Sequence, residues 1–216
     1  MSITLINAML AGAALTATIR ASGAFRLRTL VTSYAISALA IGLFVVGLGM
    51  MRNEPHLFWL AAASVILKAG IIPAVIVRAA ERAGVAMRLS SSLRPATTYF
   101  TTFVLIAAVT FAAFHSPFAA GADPAYFLIV GVSMVAIGFM MLIVRRDLIS
   151  QVVGFLIMEN GVAVFSFAVV RDLPFLVEIG ILTTLTLGIV LMGTVSKHVH
   201  ELYGTENTQA MRDLID

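Results

Sequence analysis

Seven stretches of roughly 20 residues each, nearly free of charge, occupy most of this 216-residue chain. About 20 residues of α-helix are what crossing ~30 Å of hydrocarbon requires. The stretches cover 2–18, 29–51, 57–77, 97–114, 125–144, 148–170 and 174–196. Inside lipid only helices and closed barrels satisfy their own backbone groups, and unbroken apolar runs without alternation select helices. The expected fold is therefore all-α: a polytopic bundle of seven transmembrane helices. No positive charge precedes the first run to make the leading region of a secretory signal, so it is expected to stay as a helix. Pro55, Pro95, Pro117, Pro124 and Pro174 fall at or near run ends, where a missing N–H costs least. With 60% hydrophobic and 12% charged residues, little of the chain is left for a soluble domain. The absence of cysteine excludes disulfides, thiolate zinc sites and cysteine-ligated iron–sulfur clusters within the chain.

Basic residues resist translocation and gather on the cytoplasmic side, so their distribution among the connectors gives an orientation. One side carries Arg20, Arg26, Arg28, Arg78, Arg82, Arg88, Arg94, Arg145, Arg146, Lys197 and Arg212; the other carries only Arg52 and Arg171. This places the N-terminus outside, the C-terminus in the cytoplasm and the protein in the inner membrane as a multi-pass chain. The surplus of positive charge, only +3 overall, is explained by these loops and not by nucleic acid. Three parts are expected: a four-helix membrane part over 1–120 with a cytoplasmic loop at 78–96, a three-helix part over 121–200, and a polar cytoplasmic tail over 201–216.

Only three ionisable side chains of the fourteen basic and eleven acidic ones fall inside the runs: Lys68, Glu159 and Glu178. A central charge costs roughly 2 to 3.5 kcal/mol on insertion scales, so each needs a compensating partner or function. Lys68 and Glu159 both lie about eleven residues into their runs, ~16 Å deep at ~1.5 Å per residue, and so share a depth near the midplane. Glu178 is about 6 Å from the outer edge by the same rise. Helical spacing puts Ser64 and Ile72 on the stripe of Lys68, and Phe155, Ala163 and Ser166 on that of Glu159. Asn160 and Thr184 are further polar candidates. Burial favours the neutral forms of an acid and a base while mutual pairing favours the charged ones, a balance suited to a proton relay. The competing reading is a Lys–Glu pair that merely joins helices three and six.

Other signals are weaker. His198 and His200 have a metal-like spacing without completing ligands, and His56 and His115 fall at outer helix ends. No metal or other cofactor is expected. No P-loop, dinucleotide fingerprint or catalytic triad is present, so the chain is not expected to be an enzyme by itself.

Residues 142–167 read L-I-V-R-R-D-L-I-S-Q-V-V-G-F-L-I-M-E-N-G-V-A-V-F-S-F. This segment resembles the K subunit of respiratory complex I and the C subunit of multi-subunit sodium/proton antiporters, three-helix proteins with a basic pair followed by a G-L-E-like motif. Arg145 and Arg146 match the basic pair and Gly154 the motif glycine. The motif glutamate then aligns with Leu156, and Glu159 lies three residues on, about 4.5 Å along the helix. The family's second glutamate aligns with Thr184, six residues beyond Glu178. The seven-helix plan, the F-L-I-M-E-N-G and L-V-E-I-G segments and L-K-A-G-I-I-P around Lys68 resemble component E of hydrogenase-4 and formate-hydrogenlyase complexes, whose C-terminal part is K-like. The resemblance implies a non-redox membrane-arm subunit of an energy-converting oxidoreductase. It would lie beside large antiporter-like subunits, with redox chemistry in separate soluble subunits, and contribute to proton or sodium translocation. Glu159 would be the central carrier, Lys68 its charge partner and Glu178 an outer link. A stand-alone secondary transporter and a scaffold without protonation role are the alternatives.

Overall fold

The computed structural model describes residues 3–82, 89, 91–115 and 125–169. Its elements in chain order are α1 (Ile3–Ser22), α2 (Leu27–Arg52), α3 (His56–Ser64), a π-helical segment (Val65–Ile71), α4 (Ile72–Arg82), α5 (Pro95–Phe114), α6 (Ala125–Val144) and α7 (Leu148–Val169). Helix α3, the π segment and α4 follow one another without a break. Six stretches are long and apolar enough to cross a membrane: Ile3–Ser22, Leu27–Arg52, His56–Arg78, Pro95–Phe114, Tyr126–Val144 and Leu148–Phe167. The seventh expected span, 174–196, lies outside the described residues, as do Glu178, Thr184, His198, His200 and the tail. The first helix runs a full turn beyond the end of its expected span at residue 18, continuing through Ile19, Arg20, Ala21 and Ser22. The connector after the third span is correspondingly shorter than 78–96, with α4 continuing to Arg82 and α5 beginning at Pro95.

Helix ends follow local chemistry. Helix α2 closes with Asn53 in the left-handed region, φ 56° and ψ 42°, its N–H donated to the Gly49 carbonyl. Asparagine is among the few non-glycine residues that adopt this conformation readily. Pro95 opens α5 after an extended Arg94, a position where its fixed φ fits and its missing N–H is no loss. Asp147 caps α7, its Oδ1 accepting the Ser150 backbone N–H at 2.8 Å.

Among the described residues, the antiparallel α6–α7 hairpin has the most extensive helix packing. Gly131 and Gly138 on α6 face Gly161 and Gly154 on α7, both pairs spaced seven residues apart, so they recur on one face. A Cβ at Gly138 would lie 2.6 Å from the Gly154 carbonyl oxygen, and one at Gly161 would lie 2.7 Å from the Val135 nitrogen. Only hydrogen fits between these backbones, as small-residue helix packing in membranes requires. Helix α2 is central, packing on α1, α3, the π segment, α4 and α7, while α5 lies against α1 and α6.

Two apolar clusters stack along the bundle. One, at the end bearing the α1–α2 and α6–α7 turns, contains Leu27, Leu30, Tyr34, Ile76, Ile137, Val153 and Ile157. The other, toward the opposite end, contains Phe44, Leu57, Phe127, Met134, Val164 and Phe167. Along α7 the first cluster ends at Ile157 and the second resumes at Val164, so Glu159 lies at the seam between them.

Candidate functional site

Lys68 stands in the middle of the π segment, where the Ile72 N–H reaches back five residues to the Leu67 carbonyl. The widened turn lies just before Pro73. In an uninterrupted α-helix the ring of Pro73 would meet the Ala69 carbonyl and supply no N–H to it. Glycine again sets the approach to the neighbouring helix: a Cβ at Gly42 of α2 would collide with the Val65 side chain. The π turn interrupts regular α-helical spacing at Lys68, and both Lys68 and Ile72 are buried.

The structure brings Lys68 and Glu159 together. Lys68 Nζ donates to Glu159 Oε1 at 2.6 Å and to Asn160 Oδ1 at 3.3 Å. The lysine and glutamate side chains retain only 6% and 10% of their exposure. Asn160 is 1% exposed and its Nδ2 has no hydrogen-bond partner among the described residues. The pair is neutral as a unit, which offsets the cost of placing either charge in hydrocarbon, and its 2.6 Å separation is short enough for direct proton transfer. Its two neutral forms hold the same protons and differ in where one of them sits: ammonium with carboxylate, or amine with carboxylic acid.

The remaining candidates lie elsewhere. Ser64 is half-buried in the turn before Lys68. Ser166 is buried, but seven residues from Glu159 it stands ~10 Å along α7, beyond hydrogen-bonding reach. The basic pair is divided. Arg145 is 2% exposed, its Nη2 donating at 2.6 Å to the carbonyl of Ser22, the last residue of α1. Its guanidinium lies 5.4 Å from the centre of the Phe25 ring. It therefore satisfies a terminal helix carbonyl and complements the negative end of the α1 dipole. Burial lowers the Arg145 pKa from its ordinary value, while Asp147 and Tyr99 nearby act to raise it. Arg146 is exposed and donates from Nε to Ser92 Oγ at 2.9 Å.

One buried group was not singled out by sequence. Tyr34 on α2 is wholly buried in the same apolar cluster as Ile76 and Ile157, and its hydroxyl has no partner among the described residues. A tyrosine eight residues into an apolar helix reads as packing or as an interfacial aromatic, so only its neighbours reveal it.

Comparison with known proteins agrees with the resemblance carried by residues 142–167. Residues 126–215 match the family described as NADH-ubiquinone/plastoquinone oxidoreductase chain 4L, the K-type subunit of complex I. Hydrogenase-4 component E of Escherichia coli is 25% identical over 175 residues, 80% of this chain and 80% of that protein. Its counterpart in Shigella flexneri is similar to the same extent. A protein of Mycobacterium tuberculosis described as uncharacterized is 23% identical over 199 residues, covering 88% of this chain and 87% of that one. No solved structure matches at a significant level. The chain is thus a multi-pass membrane protein whose C-terminal part matches the chain 4L family and which is similar to hydrogenase-4 component E over most of its length.

Proposed function

We propose that this chain is a non-redox membrane-arm subunit of an energy-converting oxidoreductase of the hydrogenase-4 or complex I type. In it, the Lys68–Glu159 pair takes part in moving a proton or Na+ in step with electron transfer. The observation that supports this reading is the ion pair itself, 2.6 Å long, nearly inaccessible, and formed between the N-terminal helices and the K-type part at mid-depth. A pair that only joined helices would be an expensive choice, since apolar residues of similar volume would serve as well or better. Its value lies in having two protonation states separated by a small displacement of Lys68. A change of field or position in a neighbouring subunit would part the two groups, and a membrane potential adds ~2.3 kcal/mol per charge per 100 mV to that step.

In this reading a seventh span over 174–196 completes the bundle, with the N-terminus outside, the C-terminus in the cytoplasm and the chain in the inner membrane. Glu178 provides an outer link. Large antiporter-like subunits are its neighbours, and soluble subunits hold the redox centres. The test is Glu159→Gln and Lys68→Met in the intact complex, reconstituted in vesicles. Electron transfer should persist while the ion gradient formed per electron falls by at least half. Full gradients in both variants would remove the translocating role and leave a scaffold. A gradient that persists in sodium-free buffer identifies H+ as the ion carried, and Na+ uptake that persists with a protonophore in sodium buffer identifies Na+.

A further inference from the structure

Lys68 Nζ donates to two acceptors on α7, and they belong to consecutive residues: Glu159 Oε1 at 2.6 Å and Asn160 Oδ1 at 3.3 Å. Neighbouring positions on an α-helix differ by only ~1.5 Å in rise, so Nζ can pass from one acceptor to the other while both helices stay in place. The two contacts are unequal. An N–H···O bond is ordinarily ~2.9 Å long, so the bond to Asn160 is stretched while Glu159 holds the nitrogen, and it is the one with room to shorten.

The acceptors also respond differently to a proton. An ammonium group donates and never accepts, so the Asn160 amide must turn its oxygen toward Lys68. Once a proton has passed from Nζ to Oε1, the carboxylic acid becomes the donor and the amine nitrogen its acceptor, so the role of Glu159 reverses. The role of Asn160 does not, because ammonium and amine both keep N–H bonds to give to its oxygen. Asn160 is 1% exposed, its oxygen accepts from Lys68, and its Nδ2 has no partner among the described residues. An amide so placed costs free energy in a membrane interior, where a leucine of similar volume would not.

We propose that Asn160 is the positioning residue of the pair, a second station on which Lys68 Nζ rests whenever Glu159 is protonated. In the step, an N–H bond of the ammonium breaks, its electron pair stays on nitrogen, and the proton forms an O–H bond at Oε1. Nζ then withdraws toward Asn160 Oδ1 with one N–H kept on it, and Glu159 gives its proton to a water molecule. Nζ takes a proton from another water on the return, so that one proton has moved through the pair. Asn160 keeps the base within reach of its acid while the two are parted. The inference rests on the reading of Lys68 and Glu159 as a proton-carrying pair.

The test is solid-state nuclear magnetic resonance on the full chain in lipid, with nitrogen-15 at lysine Nζ and carbon-13 at the side-chain carbonyl carbons of asparagine and glutamate. Lys68 and Lys197 are the only lysines, so a Lys197→Arg background isolates one nitrogen signal. Glu159→Gln mimics the protonated acid. In it the dipolar coupling of Nζ to the Asn160 carbonyl carbon, which varies as the inverse cube of distance, should rise roughly 1.3-fold as the bond shortens from 3.3 Å to ~2.9 Å. An unchanged or lost coupling would overturn the inference. Asn160→Leu should leave Nζ coupled to the Glu159 carboxyl carbon at wild-type strength, yet in the intact complex it should lower the ion gradient formed per electron by at least half. Loss of the Nζ–Glu159 coupling in this variant would make Asn160 a brace of the resting pair and overturn the inference. A full gradient in Asn160→Leu with a reduced one in Lys68→Met would overturn it while leaving the pair a carrier, and full gradients in both would overturn both readings. Should Glu159→Gln fail to fold, the Asn160→Leu measurements decide alone.

Discussion

The α6–α7 hairpin and the α3–α4 helix hold the two halves of the central pair in different ways. Glu159 stands between Gly154 and Gly161, on a helix pressed so closely to α6 that a single added methyl group at Gly138 meets backbone. Lys68 stands on a π turn, in a helix bonded five residues back and followed by Pro73. Close backbone contact resists displacement, whereas a π turn is a local departure from the regular helix and is commonly found at functional positions. In the proposed relay, the acid is the member expected to stay in place and Lys68 the one expected to move.

The largest effect expected from breaking this arrangement is that of Lys68→Met. It leaves a buried carboxylate without its ammonium and should cost about 3 to 5 kcal/mol, read as unfolding free energy in lipid-like detergent. The double variant Lys68→Met/Glu159→Gln should recover most of that loss, and a strictly additive double variant would mean that the groups do not interact. Next comes Arg145→Met, which removes a charged hydrogen bond to the end of α1 and should cost about 1.5 to 3 kcal/mol. Arg146→Ala, one residue away and exposed, should stay within about 0.5 kcal/mol; equal effects would contradict the division of the basic pair.

Gly138→Ala tests the hairpin itself. Overpacking against the Gly154 carbonyl and the Met158 backbone should cost about 1 to 3 kcal/mol. Gly12→Ala on α1, with no atom within 4 Å of the new methyl group, should instead raise helix stability by roughly 0.5 to 1 kcal/mol. If both substitutions behaved alike, close packing would not be what distinguishes α6–α7 from the rest of the bundle. Asn53→Ala should give an effect of about 1 kcal/mol through its left-handed backbone, measured in the same unfolding assay.

Much of the architecture is legible in the sequence. Apolar length alone marks six of the spans, because in lipid a continuous run of that length has no stable alternative to helix. The exceptional character of Lys68 and Glu159 was equally plain, since charge within such runs is costly and rare. Their common depth followed from the constant rise per residue. Residues 142–167 carried the resemblance to the K-type subunit in linear form.

Helical faces were harder to read. When a helix is apolar on all sides, periodicity does not say which side meets protein, so Tyr34 looked like any aromatic in a span. The π turn at Lys68 follows from no local periodicity, since it depends on how Pro73 and the packing of Gly42 against Val65 are accommodated together. Arg145 and Arg146 are identical neighbours in the chain, and only the carbonyl at the end of α1 and the ring of Phe25 distinguish them. Sequence by itself determined that this chain is a helical membrane protein with an acid and a base at one depth, because transfer into hydrocarbon depends on local composition and length. The tertiary structure decided that the two touch, with Asn160 beside them, because contact between residues 91 positions apart depends on how whole helices rotate and pack.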